Sequence, residues 1–284
     1  MSLTSIALKF AVPSPRIESF QRYLFIGPHP DDIEIGAGAT IAKLIQQGKQ
    51  VAFLVCLDGR YGDGLSGGIT GDNLARLRRE ESIRAAASLG VKDVYFLGRT
   101  APERFVQACS PEEIDSAEPV CDGGFYDPKD LVHGIADAVI HLQPEIIFGP
   151  DPLSRSESHL DHLNTGTAVR QIAGFAPYAG IMDRYLNEGR KTGETKAPVQ
   201  AVAFYMTARP NRFVHTSKAL MNRQLQAIRE HKSQFPQGSG ELSSVQTYLK
   251  LRSVDFGLRR CSLHAEGFRV YNATQMHCLP EAGE

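Results

Sequence analysis

The stretch FIGPHPDDIEIGAGATIAKL, residues 25–44, sets a histidine, two prolines and two adjacent aspartates between an apolar run and an amphipathic one. The first part reads as the end of a buried strand and the last as a helix, so the polar residues sit at a strand-to-helix corner. In an open α/β sheet that corner, beyond the carboxyl end of a strand, is where ligands bind. A plainer reading competes with this one. Asp31 followed by Glu34 three residues on, ahead of Gly36 and an apolar helix, also fits an N-terminal capping pattern.

Further runs of the same kind follow: VAFLVCL (51–57), DVYFLG (93–98), EIIFGP (145–150) and VQAVAFYM (199–206), with YLFIG (23–27) before them. Each is nearly continuous in apolar residues, as strands buried on both faces are. Between them lie stretches of helical period ending at Gly48, Gly90 and Pro144, and a helix is expected over His159–Ala173. The alternation predicts a Rossmann-like, doubly wound α/β fold with a mostly parallel sheet and helices on both faces. We expect one domain over residues 1–284, with a C-terminal elaboration of two helices near 218–231 and 242–252 and a closing segment HAEGFRVY. Two connections, 58–73 and 99–130, are longer than such a fold needs and are expected to line a site.

Bulk properties narrow the partners. The 284 residues carry 31 basic and 32 acidic side chains, which gives no field to attract nucleic acid or an anionic membrane surface. No run approaches the roughly 20 apolar residues of a membrane span, and the start lacks a signal-peptide pattern. A soluble, cytoplasmic protein acting on a small molecule is expected, with oligomeric state, homo-oligomer included, left open. Five cysteines without a CxxC pair argue against a disulfide framework; a Cys109–Cys121 loop link is the one pairing worth naming. GAGAT (36–40) is half of a dinucleotide fingerprint, and Ile41 stands at its third glycine position, so nicotinamide binding is discounted.

The chemistry lies in two clusters. His29, Asp31 and Asp32 follow the first strand, and SHLDHLNTG (158–166) follows EIIFGP by a short loop, so both fall on one edge of the sheet. His159 and His162 are three apart at a helix start and can face one way. Two imidazoles and a carboxylate with one open position make the ligand set of catalytic zinc. A second aspartate beside such a metal can take the proton of its water.

PHPDDIEIGAGATIAKLIQQG resembles the opening motif of the LmbE-like, or PIG-L, deacetylases, metal-dependent enzymes that remove an acetyl group from N-acetylglucosamine-type amines. The resemblance continues in order through RREESIRAAASLG (78–90), VYFLG, HLDH, KALMNRQLQAIREHKSQF (218–235) and AEGF (265–268). It implies zinc on His29, Asp32 and His162, with Asp31 as general base; a two-histidine, one-carboxylate set can also hold iron(II) or another divalent metal. It further implies that His159 stabilises the oxyanion or protonates the leaving amine, charged and oriented by Asp161. Arg78 matches the family's RxxE pair near an acetylated amino-sugar substrate, or else is a surface arginine paired with Glu81. Asp58 is a candidate for sugar hydroxyls. His231 has no role beyond packing in this reading, and His215 departs from the acidic residue many relatives carry there.

Overall fold

The computed structural model describes residues 7, 10–98, 105–107, 120–186 and 195–279, the short piece 105–107 by its backbone alone. Cys109 and most of the 99–130 loop lie outside the described residues. The strands are β1 Arg22–Gly27, β2 Gln50–Val55, β3 Asp93–Leu97, β4 Phe105–Gln107, β5 Ile146–Pro150, β6 Ala201–Tyr205, β7 Arg212–His215 and β8 Ala265–Asn272. They form an eight-stranded array in the order β4-β3-β2-β1-β5-β6-β8-β7. The central strands β3, β2, β1, β5 and β6 run parallel, and β4, β8 and β7 add antiparallel at the two sides.

The helices are α1 Asp32–Gln46, α2 Gly71–Leu89, α3 Pro128–Leu142, α4 Leu160–Phe175, α5 Ala179–Met182, α6 Lys218–Ile228, α7 Gly240–Leu258 and α8 Ala273–Cys278. Alternate side chains of β1 enter different cores, as the two-residue period of a strand requires. Tyr23 and Phe25 pack with Phe53, Phe148 and residues of α1 and α2 on one face. Leu24 and Ile26 pack with Leu54, Ile147 and residues of α3 and α4 on the other. The chain steps outward from β1 through β2 to β3, then returns across β1 to β5 and β6. The order of strands therefore reverses between β1 and β5, whose paired register sets Phe25 beside Phe148. A crevice opens at such a switch point beyond the carboxyl ends of the strands.

The segments expected to be strands all fall on strands, and the three helical segments after residue 150 fall on α4, α6 and α7 with ends moved by a few residues. The three- and four-residue strands β4 and β7 carry too little pattern to be read from sequence. Gly36 and Gly38 are packing glycines. A Cβ at Gly36 would lie 2.2 Å from Tyr205 Cδ2, and one at Gly38 2.7 Å from Gln224 Cγ. The capping reading of Asp31 fails on geometry. Asp31 precedes α1 at φ 111°, and its side chain makes no cap hydrogen bond. No helix among the described residues is long and apolar enough to cross a membrane.

Candidate active site

The turn after β1 and the start of α4, which follows β5, meet at the crevice. His29 is at the centre. Its Nε2 lies 2.9 Å from Asp161 Oδ2 and its Nδ1 3.2 Å from Asp32 Oδ2. His162 Nε2 lies 3.5 Å from the same Asp32 oxygen, while its Nδ1 is 2.9 Å from Glu157 Oε2. One donor atom each from His29, Asp32 and His162 falls within 4.8 Å of the others. With neutral rings, Asp161 and Glu157 draw the imidazole protons to the far nitrogens. That leaves three lone-pair atoms, His29 Nδ1, His162 Nε2 and Asp32 Oδ2, converging on one small volume. Such convergence is repulsive unless a proton or a cation stands between them, and this donor set suits a divalent metal.

The metal-free electrostatics agree. Burial would lower the His29 imidazole, but its hydrogen bonds to Asp161 and Asp32 outweigh this and raise it to about 10. Burial would raise Asp161, yet His29 and the Gly123 N–H hold it down to about 2. Without a metal, a proton on His29 takes the place a cation would fill.

Asp31 is buried, and its Oδ2 has no hydrogen-bond partner. Burial and then the charge of Asp32 push its carboxyl up, against the pull of His231 and His29, while Asp32 is held down by His162 and His29 against its own burial. His159 caps α4, with Nδ1 accepting from Asp161 N–H at 3.3 Å. The neutral ring therefore carries its proton on Nε2, and the side chain is half exposed. Its imidazole is lowered rather than raised, by burial and then by the charge of His29. This departs from the expectation of a His159 charged by Asp161, because that carboxylate is committed to His29 and stands 3.8 Å from His159 Nδ1.

Asp161 is fully buried and also accepts from Gly123 N (2.7 Å) and Gly124 N (2.9 Å), so the described end of the second long loop is fastened to the site. Arg78 is buried, which excludes the surface reading. It donates to the carbonyls of Gly59 (2.8 Å) and Gly62 (2.5 Å), while Glu81 accepts from Ser233 N and Oγ. Asp58 is buried as well and accepts from Arg60 Nε at 2.7 Å. Both residues are thus engaged in shaping the glycine-rich loop. Glu157, Asp122, Gly123 and Gly124 escaped the sequence reading, and His231 was given a packing role alone. Asp122 accepts from Tyr61 N. His231 is 1% exposed, with Nε2 3.6 Å from Glu34 Oε2, and more than packing is involved. Burial lowers its imidazole, but Glu34, Asp31 and Glu81 raise it.

A doubly wound α/β chain with a histidine–carboxylate cluster at its switch point is the class defined so far. Residues 24–173 match the family described as PIG-L, GlcNAc-PI de-N-acetylase, and the chain belongs to that family. It is 31% identical to the diacetylchitobiose deacetylase of Thermococcus kodakarensis, over 97% of this chain and 92% of that one. It is 26% identical to a 1D-myo-inositol 2-acetamido-2-deoxy-alpha-D-glucopyranoside deacetylase of Kineococcus radiotolerans, over 69% of this chain and 54% of the other. Among solved structures, the N,N'-diacetylchitobiose deacetylase of Pyrococcus horikoshii, complexed with its inhibitor MPG, superposes with a TM-score of 0.77 at 27% identity. That match covers 98% of this chain and 93% of that one.

Proposed function

We propose that the protein is a metal-dependent hydrolase that removes the N-acetyl group from an N-acetylglucosamine-type sugar or glycoside, releasing acetate and a free amine. The observation that carries this reading is the convergence of His29 Nδ1, Asp32 Oδ2 and His162 Nε2 beside the unpartnered carboxylate oxygen of Asp31. The activities named for the relatives point to a sugar acetamide as the bond broken. Bound by these three residues, a divalent metal would polarise the acetyl carbonyl and acidify a water, with zinc favoured by the ligand set and iron(II) also suited to it.

The remaining steps belong to the side chains. Asp31 takes the water's proton, and a carboxyl raised by burial is a stronger base for that than an exposed one. His159 offers Nε2–H to the carbonyl oxygen as charge develops there, a role that a neutral imidazole can fill. The proton held by Asp31 can then pass to the departing nitrogen. Asp161 and Glu157 fix the rings of His29 and His162, and Arg78 and Asp58 hold the glycine-rich loop at the substrate side. The test is acetate release from acetylated amino sugars together with metal analysis. Asp31→Asn should retain metal and lose about 100- to 10,000-fold in turnover. Unchanged turnover in this variant, or no acetate from any acetylated amino sugar, refutes the reading.

A further inference from the structure

Around the cluster the two long loops meet in an arc of apolar side chains that the chemistry above does not use. Tyr61, from the glycine-rich loop, is 56% exposed, and Phe125, from the second loop, is 69% exposed. Their rings meet edge to face with centroids 5.6 Å apart. Single exposed apolar side chains are ordinary, but contiguous open rings beside a polar crevice mark a binding wall. Their placement is fixed by the site itself. Both rings flank Gly123, whose Cβ would lie 3.3 Å from Phe125 and 3.6 Å from Tyr61. The backbone N–H groups of Gly123 and Gly124 are the ones that grip Asp161. Leu160, 60% exposed between His159 and Asp161, comes within 3.6 Å of the position a Cβ would take on Gly124 and extends the arc toward the catalytic histidine. Tyr61 N donates to the buried carboxylate of Asp122, which anchors the glycine-rich loop to the same edge.

We propose that Tyr61 and Phe125, whose rings stand at 70° to one another, form with Leu160 an aromatic corner, a platform in which one ring face stacks a second sugar ring, glycosidically linked to the acetylated one, and the other ring closes its side. A pyranose presents a face of C–H groups, slightly positive, which packs against the negative face of an aromatic ring, while its hydroxyls lie around the rim. The size of the arc selects this occupant. Two rings and a leucine can cover one small ring, far short of the roughly 800 Å² per partner that a stable protein interface buries. The platform also runs directly into the reacting centre, as a ring one linkage away from the acetamide requires. This deepens the deacetylase reading and rests on it for the identity of the first ring.

Binding and turnover can be separated in the test. Calorimetric affinities of N-acetylglucosamine and N,N'-diacetylchitobiose are measured on Asp31→Asn protein, where turnover is removed, alone and combined with Tyr61→Ala, Phe125→Ala or Tyr61→Phe. The parent should prefer the disaccharide at least tenfold. Either alanine variant should reduce that preference several-fold, and Tyr61→Phe, which keeps the ring, should preserve it. Equal affinity for the two sugars in the parent, or the same preference in the alanine variants, overturns the platform. Acetate release by the protein with Asp31 intact is scored separately. Its absence alongside an intact preference removes the deacetylase reading and leaves the platform supported.

Discussion

Asp161→Asn separates two accounts of the most deeply buried acid in the site. The carboxylate accepts from His29 Nε2–H, Gly123 N–H and Gly124 N–H, with the Tyr126 hydroxyl beside them. An asparagine there must turn its NH2 group toward one of them, so a hydrogen bond becomes a clash of donors. Leaving such a buried donor unsatisfied costs about 1–3 kcal/mol. The amide oxygen does best at the Oδ2 position, which serves both His29 and Gly123, so Gly124 N–H is the donor left facing NH2, and what His29 loses is the negative charge 2.9 Å from its Nε2, against 3.8 Å to His159 Nδ1. Removing the carboxylate that orients a metal-binding histidine typically lowers metal affinity or activity by about 10- to 100-fold, or about 1.4–2.7 kcal/mol. The expected result is weaker metal retention, measured by competition with a chromophoric chelator, and turnover that recovers largely when metal is added in excess. A variant that holds metal as tightly as the parent yet loses turnover at saturating metal would refute the assignment. It would mean that Asp161 acts through His159.

Metal removal should expose the titration of the His29–Asp161 pair. Asp161 is held at about 2, below its ordinary 3.8, so its contribution is present above about pH 4 and lost as the pH falls toward 2. His29 is raised to about 10 from 6.5, so its contribution is full below pH 6.5 and lost as the pH rises toward 10. Thermal melts of chelated protein should therefore show stability falling on both sides of the pH 4–6.5 window, and a flat profile from pH 6.5 to 9 would contradict the pairing. Arg78→Lys should loosen the glycine-rich loop, since a single ammonium cannot reproduce the guanidinium fork on the Gly59 and Gly62 carbonyls. Amide exchange in residues 58–73 should quicken and KM should rise more than kcat falls; unaltered exchange there would show that Arg78 does not hold the loop.

The strands were legible because parallel strands buried on both faces are written as nearly unbroken apolar runs, and Leu24 to Ile26 or Ile146 to Phe148 can be little else. The two halves of the site were legible for a related reason: PHPDD follows such a run directly and HLDH follows another by a short loop. What the sequence does not carry is the pairing across space. His29 and Asp161 are 132 residues apart, and the short interval between His159 and Asp161 suggests the wrong partner. Glu157 sits in the irregular SRSES segment, and Asp122 to Gly124 sit in a loop without periodicity, so neither had a spacing to announce it. His231 was legible only as part of the family-like stretch 218–235, between Glu230 and Lys232 and with no partner in sight. Its charge partner Glu34 belongs to the first turn of α1, and only the packing of α6 against α1 brings the two together.

Asp31 shows why the plain reading of the opening stretch fails on physical grounds. A cap is selected for stability: its side chain satisfies a free N–H at a helix start, worth about 1 kcal/mol. Asp31 occupies that position and does the opposite. Its backbone lies at φ 111°, where a residue other than glycine costs about 1–3 kcal/mol, and its buried Oδ2 is left without a partner. Glycine would be at ease at this φ, and serine or threonine would be the usual cap. Asp31 therefore stands against stability on three counts: its positive φ, its buried Oδ2 without a hydrogen bond, and a carboxyl raised by burial and Asp32. Those costs fall on a carboxylate next to the converging lone pairs of His29, Asp32 and His162 that, unlike Asp161 and Glu157, is not spent on orienting one of the rings. A base needs that condition: a carboxylate oxygen held close to the reacting water and left without a hydrogen bond until the water arrives.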